Sequence, residues 1–481
     1  MSINGRINKF KHYFSASLLT TLAGVVTFPV LTRILSKSDY GIYSLIQAGQ
    51  LIFEAILKGG GQLSVLRFYP EMMRGDDKLK KLYISNIFII PIVFSFVITC
   101  ILIIGVVVYS VYVEQSYILI LVAVTAQSSI VLSFYHALMQ ASGNSKIDAI
   151  SDVLNKYLYL IFVIPIVMYF LSNYWGVYWS ICAASLFTSF FVVYSNRSIF
   201  RCLKLQIDLA VVKRSIKYSF PLFLTEISAI SMSYVDRFVM GFMDVDMELI
   251  GIYAIGMGLA NVFFILIWKT VQPLVFPMIN DIHDSGDIPG ALKKLSEATN
   301  FYILFVISVL VGVMLNSSDF LIILSGTDKV EASVFFTLGL TILLFKLLGN
   351  FLFHGFELKK ETGVIFRSEV ILAVSNLLLN ILLIPIFGMY GAVIASLVSI
   401  PLGLIYRFVK STKEYRVSKP LDGLFGVIFL LILYCSLHKY LVVDNFDGEF
   451  VRLLLSVLVF VLVFYIGKNV WIKKFNKVFS G

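Results

Sequence analysis

Charge is scarce in this chain. Lys, Arg, Asp and Glu make up 14% of its 481 residues, against about 25% in ordinary soluble domains. So little charge cannot cover a water-facing surface of that size. Cysteine is scarce as well, with Cys100, Cys182, Cys202 and Cys435 the full set of four. Three of them fall in apolar runs and none forms a CxxC pair, so neither a disulfide framework nor a thiolate metal site is expected. The five histidines show no metal-ligand spacing, with His136 and His354 isolated in apolar surroundings. No GxxxxGK[ST] phosphate loop and no HExxH is present. Polar linkers are missing too, and no soluble segment is large enough for a nucleotide-hydrolysing domain. These gaps exclude the common enzyme classes and argue against a nucleotide-driven pump.

What fills the chain is apolar. Hydrophobic residues are 59% of the total and mean hydropathy is +0.89. Runs of about 20 apolar residues, each sufficient to cross a bilayer core about 30 Å thick, recur from end to end. We read fourteen, near 13–35, 41–65, 83–109, 116–141, 153–172, 174–195, 219–242, 250–279, 297–316, 331–356, 364–387, 389–409, 421–441 and 451–467. The expected fold is an all-α polytopic membrane protein. The first run follows Arg6, Lys9 and Lys11. It is longer than the core of about 7–15 residues in a signal peptide, so it reads as a retained helix.

A net charge of +10 in a soluble protein would suggest nucleic acid. Here the basic residues sit in short loops and report orientation instead, and no nucleic-acid partner is expected. The termini and even-numbered loops hold about 30 of the 39 basic residues, the opposite loops about five. The excess of Lys and Arg marks the cytoplasmic side, so both termini are expected inside.

The chain also repeats itself. Arg33-Ile34-Leu35, a polar turn and Gly41-Ile42-Tyr43-Ser44 find a counterpart in Asp236-Arg237-Phe238-Val239, an acidic turn and Gly251-Ile252-Tyr253-Ala254. Gln50 and Lys58 match Asn261 and Lys269 at an offset of 211. Ile164-Pro165-Ile166 resembles Ile384-Pro385-Ile386, and Trp175-Gly176-Val177 resembles Tyr390-Gly391-Ala392. Both copies start on the same side, so the repeats are parallel. The expected organisation is a six-helix bundle over 1–198, a second, pseudo-symmetric one over 199–419, and two extra helices with a basic tail over 420–481.

Once loops are assigned, a few ionisable residues remain within spans: Glu54, Lys58, Glu226, Asp236, Arg237, Lys269 and Lys346, with Arg33 at the outer end of span 1. Charge at the bilayer centre costs about 2.5–3.5 kcal/mol on insertion scales, so such residues usually face protein or a wet cavity. Gln47, Gln50, Glu54 and Lys58 follow helical spacing and share one face. The face is read as a cavity wall; its bland alternative is a self-neutralising Glu54–Lys58 pair at i, i+4. Lys58, Lys269 and Lys346 lie at similar depth, roughly 20–27 Å from the outer ends of their spans. They form a shared cationic vestibule on one reading and snorkel to the headgroups on the other. Arg33 and Arg237 are outer-end repeat partners or interface anchors. Asp236 is a local partner for Arg237, and Glu226, three turns earlier, shares its face.

Taken together, these residues resemble the polysaccharide repeat-unit (Wzx-type) flippases of the multidrug/oligosaccharidyl-lipid/polysaccharide exporter superfamily. The resemblance rests on Thr32-Arg33-Ile34-Leu35-Ser36-Lys37-Ser38-Asp39-Tyr40-Gly41-Ile42-Tyr43-Ser44, on Arg67-Phe68-Tyr69-Pro70-Glu71, on Gln140-Ala141-Ser142-Gly143-Asn144 and on Asp236-Arg237. It implies two six-helix bundles working by alternating access in a bacterial cytoplasmic membrane. The implied cargo is an oligosaccharide on undecaprenyl pyrophosphate. Arg33, Gln50, Lys58, Arg237, Lys269 and Lys346 are the candidates for the pyrophosphate and glycan cavity. Glu54, Glu226 and Asp236 are candidates for coupling to a proton or sodium gradient, with no cofactor expected. Glycan polymerase and glycosyltransferase partners would accompany such a protein. A lipid II flippase and a multidrug cation extruder of the same superfamily remain open; the second would favour unpaired carboxylates, and here cations outnumber acids. A glycan polymerase or glycosyltransferase usually carries a large outer loop, and the longest here is about 14 residues.

Overall fold

A backbone immersed in hydrocarbon must satisfy its own hydrogen bonds, which leaves the helix as the local solution for an isolated apolar run. The computed structural model describes residues 3–110, 114–197, 207–359, 361–410, 424–439, 442 and 448–466, and all fourteen apolar runs fall on helix there. Nine of the described helices are long and apolar enough to cross a membrane.

The chain divides into two compact units, Met1–Phe238 and Val239–Gly481. The first contains α1 (Ile3–Ile34), α2 (Lys37–Lys58), α3 (Gly61–Arg74), α4 (Asp77–Tyr83), α5 (Ile90–Ser110), α6 (Ile118–Ser142), α7 (Ser145–Pro165) and α8 (Tyr174–Ser195). The 34-residue α9 (Leu209–Phe242) carries the chain across the divide. The second unit contains α10 (Met247–Asp284), α11 (Ile288–Leu315), α12 (Ser317–Ser325), α13 (Ala332–Leu358), α14 (Thr362–Phe387), α15 (Met389–Lys410), α16 (Leu424–His438) and α17 (Glu449–Ile466). The core of the first unit gathers around Phe88, Ile130, Phe134 and Tyr135, with Phe88 edge-on to Tyr135 at 5.1 Å. That of the second gathers around Phe276, Tyr302 and Phe351. Along α5 the opposite pattern holds: Phe94, Ile101, Ile104 and Val108 are each at least 60% exposed. In water that stripe would drive aggregation; against lipid tails it meets a matching solvent.

One expected span is not a single helix. The run read over 41–65 breaks at Gly59 and Gly60, with φ +52° and +71°. Gly59 caps α2 through its amide bond to the carbonyl of Ala55 at 3.0 Å. A left-handed residue ends a helix this way, and glycine adopts it without a Cβ penalty. Apolar content on both sides hides the break from hydropathy.

Residues that match in the sequence occupy like positions in their helices. Gly41 and Gly251 are both the fifth residue of their helices, which are capped by Ser36 and Asp246. Tyr43 packs on Tyr178 at 6.0 Å, and Tyr253 packs on Phe335 at 5.6 Å. Gly176 and Gly391 are both the third residue of their helices. A Cβ on Gly176 would lie 2.2 Å from the carbonyl oxygen of Leu171, and one on Gly391 would lie 2.4 Å from that of Leu383. Each glycine lets a helix start directly against the end of the preceding one. Gly176→Ala and Gly391→Ala should each cost about 1–3 kcal/mol. Thermal unfolding in detergent should show both drops. Gly105→Ala, with nothing within 4 Å of its Cβ, should not shift the transition.

Candidate functional site

The polar face of α2 points at α9. Gln50 is 8% exposed and donates from Nε2 to Glu54 Oε1 at 2.7 Å. Lys58, the last residue of α2, donates from Nζ to Glu226 Oε1 at 2.7 Å. Gln62, in the first turn of α3, donates to Glu226 Oε2 at 3.1 Å. Both carboxylate oxygens of Glu226 are therefore held by the two sides of the Gly59–Gly60 break. The break also makes the approach possible, because a Cβ on Gly60 would sit 2.7 Å from the carbonyl oxygen of Ser219. Seven residues further along α9, two turns on, comes Glu226.

The alternative reading, a self-neutralising Glu54–Lys58 pair within α2, is not what forms. Lys58 takes Glu226, 168 residues away, and Glu54 takes the neutral Gln50. The side chains of Lys58 and Glu226 are 13% and 24% exposed. At such burial an ion pair persists because separating it strands a charge in a poor solvent. Lys58 is thus not a free cation, and any positive field it offers a ligand appears only when Glu226 releases it.

At the other end of α9, Arg237 is 7% exposed and lies over the ring of Tyr234, Cζ to centroid 5.0 Å. Its Nε has no hydrogen-bond partner among the described residues. Asp236 accepts from the backbone amide of Arg237 at 2.8 Å, so their local link runs through the main chain. Arg33 is exposed in the last turn of α1. Lys269 and Lys346 belong to the second unit, on α10 and α13. Lys346 is half-buried, and the side chain of Lys269 lies outside the described residues.

Several ion pairs went unread in the sequence. Arg214 of α9 makes a two-pronged contact with Glu71 at 2.7 and 2.8 Å and stacks on Phe68 at 4.8 Å. The hydroxyl of Tyr83 donates to Glu71 at 2.9 Å. Arg214, with Tyr83 beside it, holds the Glu71 carboxyl below the usual carboxylate range. In the second unit, Arg407 of α15 is buried against Glu369 of α14 and Arg452 pairs with Asp319 at 2.6 Å. His136 and His354, read as isolated, have acidic partners: Asp148 for the first and Glu357, at 2.8 Å, for the second. All these partners come from separate helices or adjacent turns, where hydropathy carries no pairing signal.

Among the described residues no group of three His, Cys, Asp or Glu is arranged to hold a metal ion.

The model of the family described as "Polysaccharide biosynthesis protein" matches residues 8–283, a stretch that contains α2, α9 and the Lys58–Glu226 pair. The chain belongs to this family. The chain is also similar to the "Probable flippase AglR" of Haloferax volcanii, 27% identical over 206 residues. That match spans 42% of this chain and 42% of the relative. Among solved structures, the fold is similar to the one titled "Lipid II flippase MurJ, inward closed conformation". It has a TM-score of 0.73 and 16% identity over 98% of this chain and 99% of that one. It is also similar to an inward-facing multidrug resistance MATE family transporter of the MOP superfamily. There the TM-score is 0.64 and the identity 12% over 81% and 94% of the two chains. The likeness to these two structures shows the fold, that of an all-helical, multi-pass membrane protein.

Proposed function

We propose that the protein is a flippase that moves an oligosaccharide linked to undecaprenyl pyrophosphate from the cytoplasmic to the outer leaflet by alternating access. The observation that carries the reading is the Lys58–Glu226 pair, buried between α2 and α9 inside the family's matched region. A lipid diphosphate entering beside α2 competes with Glu226 for the Lys58 ammonium, since phosphate is a strong acceptor for lysine. Glu226, losing its counter-charge, then takes a proton or sodium ion, and the pair re-forms when the cargo leaves. Gln50 and Glu54 extend this wall, and Arg33, Arg237 and Asp236 serve its outer end.

Family membership favours a polysaccharide precursor over the two alternatives, lipid II and an organic cation. The reading further places about fourteen spans in a bacterial cytoplasmic membrane with both termini inside. They form two parallel six-helix repeats, 1–198 and 199–419, followed by the helix pair in 420–481. Glycosyltransferases and a glycan polymerase act before and after it.

The test is translocation in proteoliposomes. A fluorescently labelled undecaprenyl-pyrophosphoryl oligosaccharide should exchange leaflets in vesicles that carry the protein, as read by an impermeant quencher. Exchange no faster than in empty vesicles, with folded protein present, overturns the proposal.

A further inference from the structure

One side-chain cluster in the first unit is not used by the ion-pair chemistry. At the ends of α2, α8 and α9 away from the Lys58 pair, tyrosines converge with one arginine. Tyr40 and Tyr43 meet edge-on at 5.7 Å, and Tyr43 meets Tyr178 of α8 at 6.0 Å. Tyr159 of α7 lies within electrostatic reach of Tyr40, Tyr43 and Tyr178. Tyr234 and Arg237 of α9 lie within the same reach of Tyr40 and Tyr43.

Packing alone does not explain this choice of residues. The hydroxyls of Tyr159 and Tyr178 and the Nε of Arg237 are all buried, and none has a hydrogen-bond partner among the described residues. A buried donor left unpaired costs about 1–3 kcal/mol. Phenylalanine would fill the same space without that cost, and the chain contains 42 phenylalanines. Three such donors in one cluster point to a polar ligand that satisfies them. Tyr43, by contrast, already accepts from Gln47 Nε2 at 3.1 Å.

The ligand must be polar at its edges and apolar on its faces. A pyranose ring fits, with C–H faces that lie on aromatic rings and hydroxyls that bond to Tyr and Arg. Arg237 disfavours an organic cation here. We infer that Tyr159, Tyr178, Tyr234 and Arg237 form a subsite for a sugar ring of the cargo, separate from the phosphate end at Lys58. This rests on the flippase reading above. Tyr40 and Lys58 are 18 residues apart on one helix, about 27 Å at 1.5 Å per residue, room for a pyrophosphate and several sugars.

The experiment measures binding of two probes to the purified full-length protein, undecaprenyl pyrophosphate and an undecaprenyl-pyrophosphoryl tetrasaccharide, whose outer sugars can reach the tyrosines while the pyrophosphate sits at Lys58. The wild type should bind the sugar-bearing lipid more tightly. In Tyr159→Phe/Tyr178→Phe, which keeps both rings, that preference should fall about tenfold while affinity for the bare lipid stays unchanged. The thermal transition should hold or rise, because two unpaired groups have been removed. Equal binding of both lipids by the wild type overturns the subsite alone. An undiminished preference in the double variant does the same. Binding of neither lipid overturns the flippase reading and the subsite with it.

Discussion

Glu226→Ala is expected to abolish glycan export and to destabilise the protein by about 3 kcal/mol, the scale for stranding one member of a buried pair. The variant leaves Lys58 and Gln62 facing an apolar gap beside α9. The polar bonds at Glu226 and Arg214 tie α9 to α2 and α3. Glu226→Gln separates the two effects, since it keeps shape and hydrogen bonding but not charge. It should fold close to the wild type and still fail to export. Lys58→Ala should lose export at near-normal abundance, because Glu226 retains Gln62. Lys58→Glu/Glu226→Lys should recover the thermal transition but not export, since the cation then stands on the wrong helix. Export by Glu226→Ala at the wild-type level, with normal abundance, would sink the exchange mechanism.

A second large effect is expected far from that site. Arg407 is 5% exposed and holds four partners. Its Nε donates to Ser368 Oγ at 3.0 Å, one terminal nitrogen to the Gly349 carbonyl at 3.2 Å, and the other to Glu369. Its plane covers the Phe353 ring at 5.1 Å. This single side chain joins α13, α14 and α15. Arg407→Ala should lower stability by about 3–5 kcal/mol, read as a lower thermal transition in detergent and reduced protein in the membrane. Arg407→Lys should recover little of it, because an ammonium cannot make a planar fork and stack at once. A transition for Arg407→Ala equal to that of the wild type would show that the network carries no stability.

How these two sites stand in the sequence explains what reading it can deliver. Lys58 and Glu226 are each conspicuous, as charges in apolar runs. Their pairing is not, because the partner 168 residues away competes with a plausible one four residues away. Hydropathy ranks positions and is silent on neighbours. Arg407 is harder still: it sits beside Lys410 at a helix end and reads as loop charge. Glu369 is masked by Arg367 just before it. The break after Lys58 was written in Gly59-Gly60-Gly61, yet the apolar residues beyond it drew the expected span to 65. The glycines at 176 and 391 are easier to read, since a position that tolerates no Cβ keeps its glycine. The tyrosine cluster left no periodic trace, being assembled from four helices.

The divide between the two compact units falls at Phe238, inside α9, and not in a loop. Anyone wishing to produce the protein as two complementing fragments therefore cannot cut at the divide itself without severing a helix. The next turn offers a better place. Met243 and Asp244 are exposed there, and Asp244 has the one positive φ, +52°, found on a non-glycine among the described residues. Fragments joined after Asp244 keep Glu226 in the same polypeptide as Lys58, so the first piece carries its ion pair complete. Fragments divided before α9 would have to find that pair by association, and their yield would report how strongly one buried salt bridge can recruit a helix.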